Sequence, residues 1–201
     1  MRRKTVMAGV LALVLVGCGD NPGPTGVPDA QLTIVRQDSL APPLLTTQAS
    51  FWAKVGDGRE IPLYYQGAAP GDTGDEYLRF EVPGDGLYRK PDGTAFLPGD
   101  SILITVTVLD PTRFLYRFEP SGLRFSPDHP ARLKIKYFDC DHDFNGDGVI
   151  DAEDVRIEGL LGVWERSGPG ASWFRLGAVQ FEELDELDAN IPGFSDHSIA
   201  W

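Results

Sequence analysis

The chain has 201 residues, 42% of them hydrophobic and 24% charged, and a formal net charge of -12. That length supports one domain with a sizeable core, and the apolar content excludes a disordered chain. The acidic balance excludes nucleic acid as a partner, and excludes a basic attachment to anionic lipid, because phosphates would repel the surface.

The 23 glycines and 16 prolines suit many turns between short strands. Arg2, Arg3 and Lys4 open the chain, Val6 to Val16 is apolar, and Leu15, Val16 and Gly17 precede Cys18. The apolar run is short for a bilayer and has the layout of a secretory leader. Its end resembles the lipobox of bacterial lipoproteins. The resemblance implies removal of residues 1–17, lipidation of Cys18 and attachment of the mature chain to a membrane of the bacterial envelope. Gly19, standing where an aspartate would signal inner-membrane retention in some bacteria, favours the outer membrane. The plainer alternative is an ordinary leader or an uncleaved anchor. Residues 18–30 form a Pro/Gly-rich tether with no apolar period, and the domain is expected over 31–201. With Cys18 carrying lipid, Cys140 has no partner for a disulfide. It is expected to be a buried small residue, its acidic neighbours making it a poor nucleophile.

Short β-type runs follow at Gln31–Val35, Ser50–Val55 and Glu60–Tyr65, separated by Pro/Gly/Asp clusters. Pro62 marks its run as an edge strand. Tyr77–Val82 alternates and stops at Pro83-Gly84. Ser101–Leu109 sets Ile102, Ile104, Val106 and Val108 on one face and Thr105 and Thr107 on the other. Leu133, Ile135 and Tyr137 alternate with Arg132, Lys134 and Lys136, a half-buried strand with a basic outer face. Further runs lie at 113–118, 161–165, 172–176 and 198–201. The regular spacing predicts an all-β fold, an antiparallel β-sandwich. Ile157, Leu160, Leu161 and Trp164 fit one short helix or the opening of a strand, and the sequence leaves both open.

Residues 77–201 resemble the ZU5 domain of bacterial surface proteins. The likeness is carried by Leu97–Asp100 leading into Ile102–Val106, then Phe118–Phe125 and Pro130–Ile135. Later come Leu161–Trp164, Trp173–Leu176 and Ile191–Ser195. The resemblance implies an immunoglobulin-like sandwich serving as an interaction module. Some ZU5-type proteins cleave themselves at His-Phe-Ser. Here Phe194 and Ser195 match, but Gly193 stands where the histidine belongs, so self-cleavage is not expected.

The most specific motif spans residues 143–154. Calcium is a hard cation that takes six to eight oxygens, and this segment offers oxygens at EF-hand spacing. Asp143, Asn145 and Asp147 would donate from alternate side chains, Val149 from its carbonyl, Asp151 directly or through water, and Asp154 would close the sphere. Gly148 takes the turn that needs positive φ, and Ile150 holds the position where such loops point an apolar residue into the core. EF-hands usually close with Glu, whereas closure by Asp resembles dockerin loops. Dockerins carry a pair of such loops, and no second copy occurs here. A strand, not a helix, is expected before Asp143, which makes the loop an insertion between strands. The competing reading is a solvated acidic turn. Residues 139–154 carry seven acidic side chains and no Lys or Arg, and a cation relieves their repulsion.

Catalytic patterns are weaker. No His-x-x-x-His or Cys-x-x-Cys offers a zinc site. Ser195, Asp196 and His197 are strand neighbours pointing to opposite faces, and are read as surface polar residues. Glu182–Asp188 is read as a solvated hairpin or loop rather than as paired glycosidase carboxylates. Trp52, Trp164, Trp173 and Trp201 fit core packing better than a sugar-stacking platform. The expectation is a lipid-anchored, non-enzymatic interaction or structural module holding Ca2+. An unknown envelope protein or a glycan would be its partner. A calcium-dependent carbohydrate-binding module is the alternative, and a hydrolase the weaker one.

Overall fold

The computed structural model describes residues 25–201, so the leader over 1–17 and Cys18 lie outside the described residues. Thirteen strands and one short helix follow in order. The first half holds β1 (Gln48–Lys54), β2 (Arg59–Gln66), β3 (Thr73–Val82), β4 (Leu87–Arg89), β5 (Ser101–Asp110), β6 (Leu115–Glu119) and β7 (Arg124–Phe125). The second half holds β8 (Ala131–Lys136), α1 (Ala152–Glu158), β9 (Gly162–Arg166), β10 (Phe174–Arg175), β11 (Ala178–Phe181), β12 (Glu186–Ile191) and β13 (Asp196–Ala200). One large sheet runs β1-β5-β6-β13-β9-β10, a second β11-β12-β8-β3-β2, and β4 and β7 form a small third, all pairings antiparallel. The chain is an all-β sandwich, as the alternation predicts. The strand with Pro62, β2, is an edge strand, where a missing N–H costs no ladder bond.

The core forms because period-2 alternation puts one set of side chains between the sheets. Ile104, Val106 and Val108 from β5 meet Leu133 and Ile135 from β8, and Phe80 from β3. At one end Phe80, Phe118, Phe125 and Phe194 pack with ring centroids 4.9–6.1 Å apart. At the other, Tyr65, Tyr77, Tyr116 and Phe114 do the same. The outer face of β8 is basic because its neighbours are acidic: Arg132 pairs with Asp188 of β12 and Glu81 of β3, and Lys134 with Glu186 of β12.

Three local expectations change. Of the hairpin and loop alternatives for 182–188, the hairpin holds: exposed Glu182–Leu184 form the turn between β11 and β12, but the returning half is not solvated. The segment turns through Asp185 at φ 46 and enters β12, whose Leu187 and Ala189 are buried between the sheets. The helix-or-strand ambiguity resolves as both: α1 ends at Glu158, and Trp164 sits in β9. The last part of the expected tether is also fastened. Val27 exchanges backbone hydrogen bonds with Trp173 at 2.7 and 2.8 Å, and just past the tether Thr33 does so with Trp201 at 3.3 and 3.2 Å.

Candidate metal centre

After β8 the chain turns at Cys140, whose N–H donates to the Tyr137 carbonyl at 2.8 Å. Cys140 is buried, and burial pushes its thiol up, with the carboxylates of Glu158, Asp185 and Asp141 adding to the effect. The segment 139–141 lies against residues 36–38: the Asp38 N–H donates to the Asp139 carbonyl at 2.9 Å, and the Asp141 N–H to the Arg36 carbonyl at 3.0 Å.

The loop then folds on its own first aspartate. Asp143 Oδ1 accepts from the N–H groups of Gly146 and Asp147 at 2.9 and 3.1 Å, and Oδ2 from Gly148 at 2.7 Å. Winding three donors about one carboxylate requires left-handed backbone at Gly146 (φ 74) and Gly148 (φ 86), which glycine adopts without a Cβ clash. Asn145 Oδ1 accepts from the Asp147 N–H at 2.8 Å, and Asp147 Oδ1 from the Val149 N–H at 2.9 Å. Asp151 caps α1, accepting from the Glu153 N–H at 2.8 Å.

Asp154 closes the loop. Its Oδ2 accepts from the Asp151 N–H at 3.0 Å, completing a capping box, and its Oδ1 from the Asn145 N–H at 3.1 Å. Only 2% of Asp154 is exposed. The N–H of Asp151 foremost, then those of Asn145 and Phe144, hold its carboxyl below the ordinary 3.8 against the opposing effect of burial.

All six sequence-predicted donors therefore lie in one loop, with Asp154 joining its two ends. The donor set is oxygen-only and in EF-hand order, which suits a hard cation. In the structure these carboxylates point at backbone N–H groups, and among the described residues no three His, Cys, Asp or Glu side chains converge as a metal-ligating set. The expectation for Ile150 fails: it is 69% exposed, beside exposed Val149 and Val155. Phe144 does the anchoring instead, buried and edge-on to Trp201 at 5.7 Å. The loop rises from the sandwich at its Phe144 end, so the position eight residues into the motif faces outward.

Two polar groupings escaped sequence reasoning. Asp196 and His197 are not surface residues, with exposures of 3% and 0%. Asp196 accepts from Arg117 Nε at 2.8 Å and Arg166 Nε at 3.2 Å. Arg166 Nη1 also donates to Asp29 at 2.8 Å, and Asp29 accepts the Trp173 indole N–H at 2.7 Å. The Arg166 guanidinium lies over the Trp173 ring at 4.5 Å. Strand alternation predicts that Asp196 and His197 part to opposite faces. It carries no signal that the outer face is covered by the distant segment 27–34.

The tryptophans divide. Trp173 is buried, Trp164 donates its indole N–H to the Ala200 carbonyl at 3.0 Å, and Trp201 packs on the core. Trp52 is 58% exposed, opposite Leu103 on β5. Of the carboxylates in 182–188, Glu186 and Asp188 are ion-paired on the outer face of the sheet. No helix among the described residues is long and apolar enough to cross a membrane. No family model, no curated protein and no solved structure matches the chain.

Proposed function

We propose that the protein is a lipid-anchored component of the bacterial cell envelope, favouring the outer membrane, whose β-sandwich is stapled by one Ca2+ and works as a non-enzymatic interaction or structural module. The observation that supports this most is the closure of residues 143–154 by Asp154, which holds Asn145 and Asp151 together and keeps six oxygen donors in one loop. Asp143, Asn145, Asp147, Asp151 and Asp154 would hold the ion through side-chain oxygens and Val149 through its carbonyl. Bound calcium would supply positive charge among seven acidic side chains. Just before the loop, Asp139 and Asp141 are hydrogen-bonded to Asp38 and Arg36, which ties its base to a second part of the domain.

Calorimetric titration of the mature domain with CaCl2, paired with thermal melts, tests the ion. A saturating excess of 100-fold over the dissociation constant stabilises by about 2.7 kcal/mol, which for a chain of this size raises Tm by roughly 5–10 °C. Asp143→Ala abolishes the shift. No heat of binding and an unchanged Tm would leave the segment an acidic turn. Cys18→Ser, followed by membrane fractionation with labelled palmitate, tests the anchor: the wild type takes up label and the variant does not.

The exposure of Trp52 keeps carbohydrate binding as the second reading, now resting on one aromatic rather than four. Trp52→Ala would abolish retention on envelope polysaccharide under that reading, and leave it unchanged under the first.

A further inference from the structure

His197 is wholly buried in β13, with the Phe118 ring edge-on at 5.1 Å. Its Nδ1 lies 3.3 Å from the Ser195 carbonyl oxygen. A carbonyl only accepts, so Nδ1 carries the proton and, in the neutral ring, Nε2 is left as a bare acceptor. Among the described residues, no group donates to that nitrogen. It faces a carboxylate instead: Glu165 Oε2 of β9 is 3.9 Å away. The nitrogen is cut off from water while the Glu165 side chain is 29% exposed, so the buried acceptor is the unsatisfied one, and one proton placed between the two satisfies it.

We propose that Glu165 and His197 form a proton-binding pair, in which the protonated Glu165 side chain closes the 3.9 Å gap by about 1 Å and donates its O–H to His197 Nε2, and that loss of this proton releases Glu165 to Arg124 in the adjoining cleft. Arg124 and Glu165 both line that cleft of about 350 Å³, together with Ser121, Gly193 and Ser195. Glu165 is therefore the part of the pair that solvent reaches. The transfer is an acid–base step alone: the carboxyl gives its proton to water as pH rises and regains it as pH falls.

The surrounding charges agree with this direction. On β13, Asp196 is occupied by Arg117 from β6 and Arg166 from β9. Tyr116, opposite His197 on β6, is buried and far above its ordinary range, so it stays neutral. Glu119 of β6 is exposed. Burial raises Glu165 above the ordinary 4.5, and Arg124 of β7 alone opposes this. Burial lowers His197 to about 4, so the ring stays neutral. The raised Glu165 value means that the folded chain binds this proton more tightly than the unfolded one. Its stabilising contact is fully present below the unfolded value and is lost as pH rises through the folded value. The lowered His197 value acts in the opposite sense, its neutral form supporting the fold above 6.5 and failing as pH falls through about 4.

Glu165→Gln separates this from mere packing, because an amide N–H donates to Nε2 at every pH. Thermal melts from pH 5 to 9 are expected to show the variant melting above the wild type at pH 8, with the gap closing towards pH 5. In 15N-histidine spectra of the wild type, Nδ1 carries the proton throughout, and the Nε2 shift follows one titration between pH 4.5 and 8 that is absent in the variant. A gap independent of pH, a variant less stable at pH 8, or an Nε2 that bears the proton at pH 8 would overturn the pair. The wild-type spectra decide the question even if the variant does not fold.

Discussion

Asp196 is the side chain on which the outer face of the larger sheet depends most. It is nearly inaccessible and neutralises two guanidiniums, one of them the buried Arg166. Removing one partner of a buried ion pair leaves an uncompensated charge, a larger loss than the net worth of the pair. Asp196→Asn is expected to cost about 3 kcal/mol in urea unfolding. Asp29→Asn should cost less, because its side chain is 57% exposed and water replaces what is lost. Equal costs would mean that the outer face depends on Asp196 no more than on Asp29. Neither residue is marked in the sequence. Asp29 sits among tether-like prolines and glycines, and Asp196 reads as one more polar residue at a strand start. Their importance comes from a contact between positions 29 and 166, a separation that local pattern cannot carry.

At the scale of elements, legibility followed exposure. Strands with one wet face, β5 and β8, alternate cleanly, and their inward residues are those that the pattern assigns. The loop 143–154 was legible because its oxygens and glycines occur at fixed spacing, and both glycines of the turn have the positive φ that such winding needs. β12 was read as one arm of a solvated hairpin or as a loop, and its burial was hidden, since Glu186 and Asp188 make it look solvent-facing until the facing Lys134 and Arg132 are in place. β13 was only half legible, because both of its faces are covered and alternation loses its meaning there. The strand reading of β12 has a direct consequence. Leu187 lies opposite Ile135 and is 1% exposed, so Leu187→Ala leaves a cavity between the sheets and is expected to destabilise by about 2–4 kcal/mol. A loop residue in the same position would cost under about 0.5 kcal/mol.

For the whole molecule, the two ends of the described chain brace each other. The segment 27–34 crosses the outer face of the larger sheet, and its Leu32 and Ile34 bury Trp173 and Ala200 in a second small core, with Val27, Leu115 and Trp164 at its margin. Thr33 and Trp201 pair through their backbones, and Trp201 in turn packs on Phe144 of the acidic loop. Strap, C-terminus and candidate calcium loop thus form one continuous contact. If the chain is anchored at Cys18, any pull on the tether meets the domain first at Val27 and Asp29, which the Trp173 backbone and indole N–H hold. Burying two aliphatic side chains, Leu32 and Ile34, at about 1.5 kcal/mol or more each, with half-buried Val27 adding less, makes this strap a substantial share of a typical domain's stability. A chain beginning at Val35 is therefore expected to fold less stably by about 3–5 kcal/mol. Its tryptophan emission should shift to longer wavelength as Trp173 meets water. Exchange of the amides in β2 and β3, on the other sheet, should be little changed until global unfolding. Unaltered emission and stability would show that the strap rests on the sheet without bearing on it, and that the domain proper begins after it.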